Sequence, residues 1–393
     1  MRPAATGRRV VVTGIGVVSP VGIGLDAFWT GLQTVPADRR ERTVEGFDPG
    51  PWLSPKEARH LDRFSHFAVA AAEMALAHAG GAPEVDPTRA GVQLGTGIGG
   101  VGTLETQVGV LTERGPKRVS PFTISMVMPN AGAAAVSLRL GWRGPSETMT
   151  TACAAGTHSV AAGARMIADG RCDVVLAGGA ESSMTPTTVA AFTVMTALSR
   201  TGLSRPFDTG RDGFCIAEGA AVLLLEERGA AIARGATIHG EVLGAASTCD
   251  AHHITAPSPG GMGAAACMRL ALHDAELTPA QIVHVNAHGT STPLNDEAEA
   301  QAITTVFGPR AVPVTSIKGA TGHSLGAAGA LEAAAVLLSF AHRTLPPTMG
   351  TTDVDPLLDL DVVLEPRPWT PGPTVSNSFG FGGHNGSLVL GPA

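Results

Sequence analysis

Tyrosine is absent from this 393-residue sequence, and aromatic residues of all kinds make up only 4% of it. Without large rings the core has to be filled by Val, Leu, Ile and Ala, and the 50 glycines let its layers approach closely. Lysine is nearly absent too, occurring only at positions 56, 117 and 318 among 27 basic residues. Charged residues amount to 16% and the formal net charge is −7, which excludes the concentrated Lys and Arg excess of a nucleic-acid binder. Two arginine clusters stand out locally, Arg39, Arg40 and Arg42, and Arg200, Arg205 and Arg211. Each reads equally as solvated loop residues or as a docking surface for an acidic partner. The five cysteines (153, 172, 215, 249, 267) contain no C-x-x-C pair, which excludes a disulfide framework and a zinc site and fits a reducing, cytoplasmic compartment. No metal and no cofactor is expected. No uninterrupted apolar run is long enough to span a bilayer. The opening GRRVVVTGIGVVSPVG is broken by Thr, Gly and Pro without a clean cleavage site after it, so neither a signal peptide nor a membrane anchor is expected.

What is there is an alternation of short β-branched runs with longer Ala-rich segments, the pattern of parallel strands joined by helices. Strands are expected at 9–13, 91–94, 173–177, 221–225, 282–286, 312–316, 374–377 and 387–390, and helices at 65–79, 154–168, 261–275, 298–307 and 325–343. A charged helix end, ERGAAIARGA, precedes a new strand from Thr237, which divides the chain into halves at 1–236 and 237–393. No fixed-period repeat relates the halves by eye. The Pro-rich stretches at 345–356 and 366–373 read as surface loops.

Four segments carry chemistry. In TACAAGTH, Cys153 stands between a strand and the helix expected from Ala154, where free backbone N–H groups and the helix dipole lower a thiol pKa. The same small residues also suit a buried structural cysteine, so the stretch leaves both readings open. In VNAHGTSTPLND, His288 follows a strand end, where α/β folds place their chemistry. In SIKGATGHSLGAAGALEAA, Lys318 sits in an apolar segment and needs a carboxylate, for which Glu332, Asp296 and Glu299 are the candidates. His323 follows in the same segment. In SNSFGFGGHNGSLVLG, two phenylalanines spaced by glycine suggest a mobile loop with exposed amides. Neither GFGG nor GTGIGGVG (95–102) has P-loop or dinucleotide spacing, which argues against nucleotide binding.

Together with PFTISMVMPN, RGPSETMTTACAAG, DVVLAGGAES, SRPFDTGRDGF and DAHHITAP, these segments resemble the thiolase-fold condensing enzymes. The resemblance is to the β-ketoacyl-[acyl carrier protein] synthases of the second, elongating type, and it spans essentially the whole chain. It implies an α/β thiolase-like fold of two similar halves, layered α-β-α-β-α with mixed sheets, the first half carrying the Cys and the second the His, Lys, His and Phe/Gly-rich loop. It implies acyl transfer to Cys153 as a thioester, with the N–H groups of Cys153 and Phe379 as oxyanion hole. His288 and His323 then stabilise the enolate formed as malonyl loses carbon dioxide. Lys318, held by Glu332 and Glu299, organises the pocket. Thr290 and Thr292 bind the pantetheine arm, joined by Thr255. Phe379 doubles as a gate and Ile98 floors the acyl pocket. The implied partners are acyl carrier protein, bearing acyl and malonyl groups, and a second copy in a homodimer.

Two positions depart from the family pattern: His384 in GGHN, where many bacterial relatives have Thr, and Thr123, where relatives often carry a bulkier residue reaching the partner's pocket. A smaller residue there admits a longer or bulkier chain. The rival readings are a chain-length-factor-like partner subunit, which lacks the nucleophile, and a thiolase, which needs a second cysteine near the C-terminus. The sequence opposes both, since Cys153 is intact and the last cysteine is Cys267. The active-site residues serve fatty acid and type II polyketide or polyene synthesis alike. The high Arg, Ala and Gly content, a mark of GC-rich codons, leans toward a specialised pathway.

Overall fold

A computed structural model describes residues 7–35 and 38–393. The first six residues of the expected N-terminal half lie outside the described part. Strand β1 (Val10–Ser19) is rich in valine and buried at every position. Its Gly14 and Gly16 are required by a close approach: a Cβ on either would lie 2.1 and 1.9 Å from the carbonyl oxygens of Ala75 and Ala71. Those alanines belong to α1 (Arg63–His78), whose N-terminus is capped by Asp62 accepting from the Phe64 N–H.

The first half continues with β2 (Ala90–Gly95), β3 (Ser146–Met149), β4 (Val174–Glu181) and β5 (Gly219–Glu227), in spatial order β3-β2-β4-β5-β1. The second half uses β6 (Gly240–Cys249), β7 (His284–Asn286), β8 (Pro313–Thr315), β9 (Thr374–Gly380) and β10 (His384–Gly391), in order β8-β7-β9-β10-β6. Each half thus repeats three parallel strands followed by two antiparallel ones, and in the second half the short strand Asp361–Val362 adds in parallel outside β8. The repeat that the eye misses in the side chains is present in the path of the backbone. Antiparallel pairing of Val10–Val12 with Gly240–Val242 joins the halves along one sheet.

Helices α1, α2 (Val101–Arg114) and α3 (Ala131–Leu140) belong to the first half, and α1 and α3 cover its outer face. α4 (Ala155–Ala168) follows β3. α5 (Met262–Asp274) and α6 (Pro293–Phe307) lie outside the second half, and α7 (Ala328–His342) follows β8. α4 and α7 pack on each other and on strands of both halves, forming the middle layer of the α-β-α-β-α arrangement. Their crossing is built from the smallest residues: a Cβ on Gly156 would lie 2.8 Å from the Ala330 nitrogen. The segment Leu325–His342, with mean hydropathy 1.5, is long and apolar enough to cross a membrane, but 89% of it is buried as this central helix.

Several expectations are corrected. α2, α3 and a helix at Pro186–Val194 lie outside the expected elements, and α6 begins at Pro293, five residues early, because Pro at a first helical position is favourable. The expected loop after Asn377 is a hairpin of β9 and β10, with Phe379 and Gly380 inside the strand. The stretch from position 345 is not a surface loop. Leu345 and Thr348 are buried, and Thr348 accepts from the Ser316 N–H. The arginine clusters also divide. Arg42 is buried, and Arg211 pairs with Asp355 at 2.9 Å with little exposure, while Arg40 and Arg200 remain at the surface.

Candidate active site

The turn between β3 and α4 holds Cys153 in a single 3-10 turn, Ala152–Ala154. Ala152 takes φ 50°, a left-handed conformation that costs a non-glycine residue of order 1 kcal/mol. Against this turn lies the β9–β10 hairpin. A Cβ on Gly380 would come 3.0 Å from the Cys153 nitrogen, tighter than ordinary contact, so a larger residue would push the turn and hairpin apart by a few tenths of an ångström. His323 is fixed by its backbone: its N–H donates to the Cys215 carbonyl at 2.8 Å and its carbonyl accepts from Ala217 at 2.9 Å. Its Nε2 then stands 3.1 Å from the Cys153 Sγ. His288, at the end of β7, packs edge-on to His323 with ring centroids 5.3 Å apart. The Cys153 sulfur and a ring nitrogen of each histidine lie within 4.8 Å of one another, all buried.

Lys318 supports this group from behind. Its ammonium donates to the Glu332 carboxylate, to the His288 carbonyl and to the His288 Nδ1, the last at 3.2 Å. An ammonium has no acceptor to offer, so Nδ1 accepts and the His288 ring proton sits on Nε2, toward the sulfur. The second Glu332 oxygen accepts from Ser378 at 3.4 Å, and Ser378 in turn meets Thr157 of α4 at 2.7 Å. Of the three carboxylates considered for Lys318, Glu332 alone bonds it. Glu299 accepts instead from the His288 and Gly289 N–H groups at 2.8 and 2.7 Å, and Asp296 from Phe207 and Ser291 at 2.8 and 3.1 Å. Both carboxylates brace the HGTST turn.

Burial sets the protonation states. Removal from water, together with Lys318 and for His288 also His323, holds both imidazoles well below the ordinary histidine range, so both are neutral. Burial also pushes Glu332 and Glu299 up to about 7 and Asp296 up to about 6. The expectation of a lowered thiol is overturned: burial pushes Cys153 up to about 11, outweighing Lys318 and the nearby amides. Cys153 rests as a thiol. The three soft ligand atoms are close enough to share a divalent ion, but the adjacent Lys318 charge opposes a cation there.

The expected Phe379 amide is not the one that acts on the sulfur. The Phe381 backbone N–H, with that of Cys153, favours negative charge on Sγ. Phe379 is held in the strand opposite Asn385, with its ring 6.0 Å from that of His288. Phe381 was legible in the sequence as the second phenylalanine of SFGF, where nothing local separates the two.

A cavity of about 950 Å³ opens onto Cys153, His288 and His323. Its walls include Phe192, Met195, Leu198, Phe214, Leu325, Phe379 and Phe381, and it reaches Thr255, Thr290, Thr292 and Ile98. The Thr290 and Thr292 hydroxyls bond each other at 2.9 Å. Ile98 lines the cavity yet is 41% exposed, so it is no closed floor in the single chain. Arg40, Arg200 and Arg211 also border the cavity. Phe192, Met195, Leu198 and Phe214 escaped the sequence reading, because residues that become neighbours of Cys153 only through folding share no local pattern with it. His384 pairs with Cys249 across β6 and bonds to none of the four central side chains, and Thr123 begins a short helix, Thr123–Val127.

Residues 34–231 match the family model of the beta-ketoacyl synthase N-terminal domain, and residues 239–352 that of the C-terminal domain. The chain is 42% identical to a 3-oxoacyl-[acyl-carrier-protein] synthase 2 of Synechocystis sp., over 98% of each chain. It superposes on the ishigamide ketosynthase/chain length factor with a TM-score of 0.92 at 34% identity, covering 98% of this chain and 99% of that one. It also superposes, with a TM-score of 0.90 at 30% identity over 98% of this chain and 100% of that one, on a type II polyketide synthase acyl-carrier protein in complex with its ketosynthase bound to the hexaketide.

Proposed function

The chain belongs to the beta-ketoacyl synthase family, and from that premise we propose the reaction its residues perform, a decarboxylative Claisen condensation. An acyl group held on Cys153 is joined to a malonyl group borne by acyl carrier protein, extending the chain by two carbons in fatty acid or type II polyketide synthesis. The observation that carries this reading is the convergence of Cys153, His288 and His323 within 4.8 Å, backed by Lys318, at one end of an apolar cavity.

In the first step the Cys153 sulfur attacks the acyl thioester carbonyl and its proton passes to His323 Nε2, 3.1 Å away, then to the departing carrier thiol. The Phe381 and Cys153 N–H groups face the oxyanion. In the second step the malonyl C–C bond breaks, carbon dioxide leaves, and the electron pair flows to the thioester oxygen. The His288 Nε2–H stabilises that enolate, joined by His323 once its single ring proton has shifted from Nδ1 to the Nε2 that faces the site. Neutral imidazoles suit this task because they donate without a standing charge that would trap the malonate. The carbanion attacks the acyl-Cys153 carbonyl, the C–S bond breaks, and the departing Cys153 thiolate takes up a proton from water, the one proton the condensation consumes overall. Lys318 pins the His288 tautomer, and Glu332 balances its charge.

Several site roles rest on the same reading. Thr290, Thr292 and Thr255 line the approach of the pantetheine arm, and the acyl chain lies among the phenylalanines toward Ile98. Arg40 and Arg200 at the mouth suit an acidic carrier protein. The halves 1–236 and 237–393 supply nucleophile and decarboxylation machinery respectively. The exposed apolar side chains Leu104, Val108, Leu111, Phe122 and Ile124, beside the half-exposed edge strand β3, suit pairing with a second copy. Free thiols in all five cysteines fit a reducing, cytoplasmic location. The test is mass spectrometry of Cys153 after exposure to acyl carrier protein thioesters, with release of labelled carbon dioxide from malonyl carrier. Cys153→Ala is expected to abolish the adduct and the condensation while decarboxylation persists. Condensation by Cys153→Ala would sink the assignment.

A further inference from the structure

The segment RRER at 39–42 reads in sequence as surface charge, yet the Arg42 side chain runs inward and is 6% exposed. Its NH1 donates to the carbonyl of Gly319, at 2.8 Å, and to that of Ala320, and its NH2 lies 3.8 Å from the Cys215 sulfur. No carboxylate bonds it among the described residues, and its Nε–H has no partner there. A buried guanidinium so placed is costly, and its donors go to one purpose. Lys318–Thr321 is a helix of a single turn, whose last carbonyls have no helical partner and are buried. Arg42 satisfies two of them.

The surrounding backbone ties the same spot to the reaction. Glu41 and Arg42 pair in parallel with Ile216 and Ala217, and Ile216 bridges to His323. Gly322, at φ 74°, leads from the turn into His323, and a Cβ there would meet the Arg42 Cδ at 3.1 Å. The Arg42 stem therefore packs on the residue between Lys318 and His323, while its head holds the turn that begins at Lys318. Cys215, which accepts from the Arg42 guanidinium, donates its S–H to the Gly202 carbonyl at 3.2 Å and so links this clamp to the loop carrying Arg200.

We propose that Arg42 is a positioning residue for the decarboxylation step, clamping the Lys318–Gly322 turn so that Lys318 and His323 keep their places against His288 and Cys153. The proposal rests on the condensation reading above. Arg42→Met removes the donors and keeps an unbranched apolar stem, and Arg42→Lys keeps one donor nitrogen on a shorter stem that falls short of the NH1 position. Each purified variant is assayed by circular dichroism for folding, by mass spectrometry for Cys153 acylation, and by carbon dioxide release for malonyl decarboxylation. For Arg42→Met, decarboxylation kcat falls by about tenfold or more with KM for malonyl carrier changed less than about twofold, and Cys153 acylation, whose proton also passes to His323, slows with it. Arg42→Lys recovers part of the loss. A folded Arg42→Met with wild-type decarboxylation overturns the proposal. Should the Met variant not fold, a folded Arg42→Lys with undiminished decarboxylation overturns it equally. Wild-type protein that neither acylates nor decarboxylates would instead sink the condensation reading itself.

Discussion

Gly156→Ala puts the packing argument to the sharpest test, because it adds one methyl where α4 crosses α7. The new Cβ would lie 2.8 Å from the Ala330 nitrogen, 3.0 Å from the Gly326 carbonyl oxygen and 3.3 Å from the Ala330 Cβ, against 3.4–4 Å for ordinary contact. The neighbours are backbone on one side and a methyl on the other, so the helices have to part by about 0.6 Å. Overpacking of this kind costs about 1–3 kcal/mol, of which alanine's better helix propensity returns about 1. The net loss of about 0–2 kcal/mol lowers Tm by at most roughly 2–3 °C in a chain of this length, read by calorimetry. The kinetic effect is larger than the thermodynamic one. Cys153 precedes α4 and His323 precedes α7, so the same displacement stretches the 3.1 Å contact between Sγ and Nε2 by about 0.6 Å and weakens it. Misplacement of this size lowers the condensation kcat by about tenfold, with KM little changed. The assay is steady-state condensation at a temperature where both proteins are folded. A variant at least as stable as wild type and equally active would refute the claim that the small-residue crossing sets the catalytic distance.

Lys318→Met leaves the Glu332 carboxyl buried without its cation, so Glu332 stays protonated and the Nδ1 tautomer of His288 is released; malonyl decarboxylation is expected to fall by about a hundredfold, and an unchanged rate would contradict the tautomer argument. Because both histidines are held well below 6.5, they give decarboxylation no acid limb there; a limb near 7 belongs to Glu332, and one that survives in Glu332→Gln would show an ordinary imidazole. The same depression costs stability as pH falls below 6.5, since the unfolded chain takes up protons that the native histidines refuse, whereas Glu332 and Glu299, held up to about 7, bind protons first in the native state and offset that loss until the unfolded carboxyls titrate near 4.5. A Cys153 thiol at about 11 is alkylated by iodoacetamide at a rate that climbs about tenfold per pH unit between 7 and 9; a plateau above pH 7 would restore the lowered thiol.

The reactive inventory was legible in the sequence, since TACAAGTH, HGTST, KGATGH and NSFGFGG each mark a strand end in an α/β chain. So was the alternation of elements, because period and β-branching are local properties. Its borders moved where local signals were ambiguous, as at Pro293, where a proline opens a helix instead of breaking it.

The motifs, through their resemblance to the condensing enzymes, pointed to Cys153, His288, His323 and Lys318 as the candidate chemical groups. Tertiary structure decided how each behaves. Glu332, and not Glu299 or Asp296, meets Lys318, because α7 and the Lys318 turn pack face to face while the other two carboxylates turn to backbone N–H groups. Phe381, and not Phe379, presents its amide to the sulfur, because the strand register spends Phe379 opposite Asn385. Arg42, one of three arginines in four residues, is drawn inside while its neighbours stay at the surface. The thiol rises instead of falling. Desolvation depends on every atom around a group, contributed here by segments more than a hundred residues apart, and no local window contains that sum.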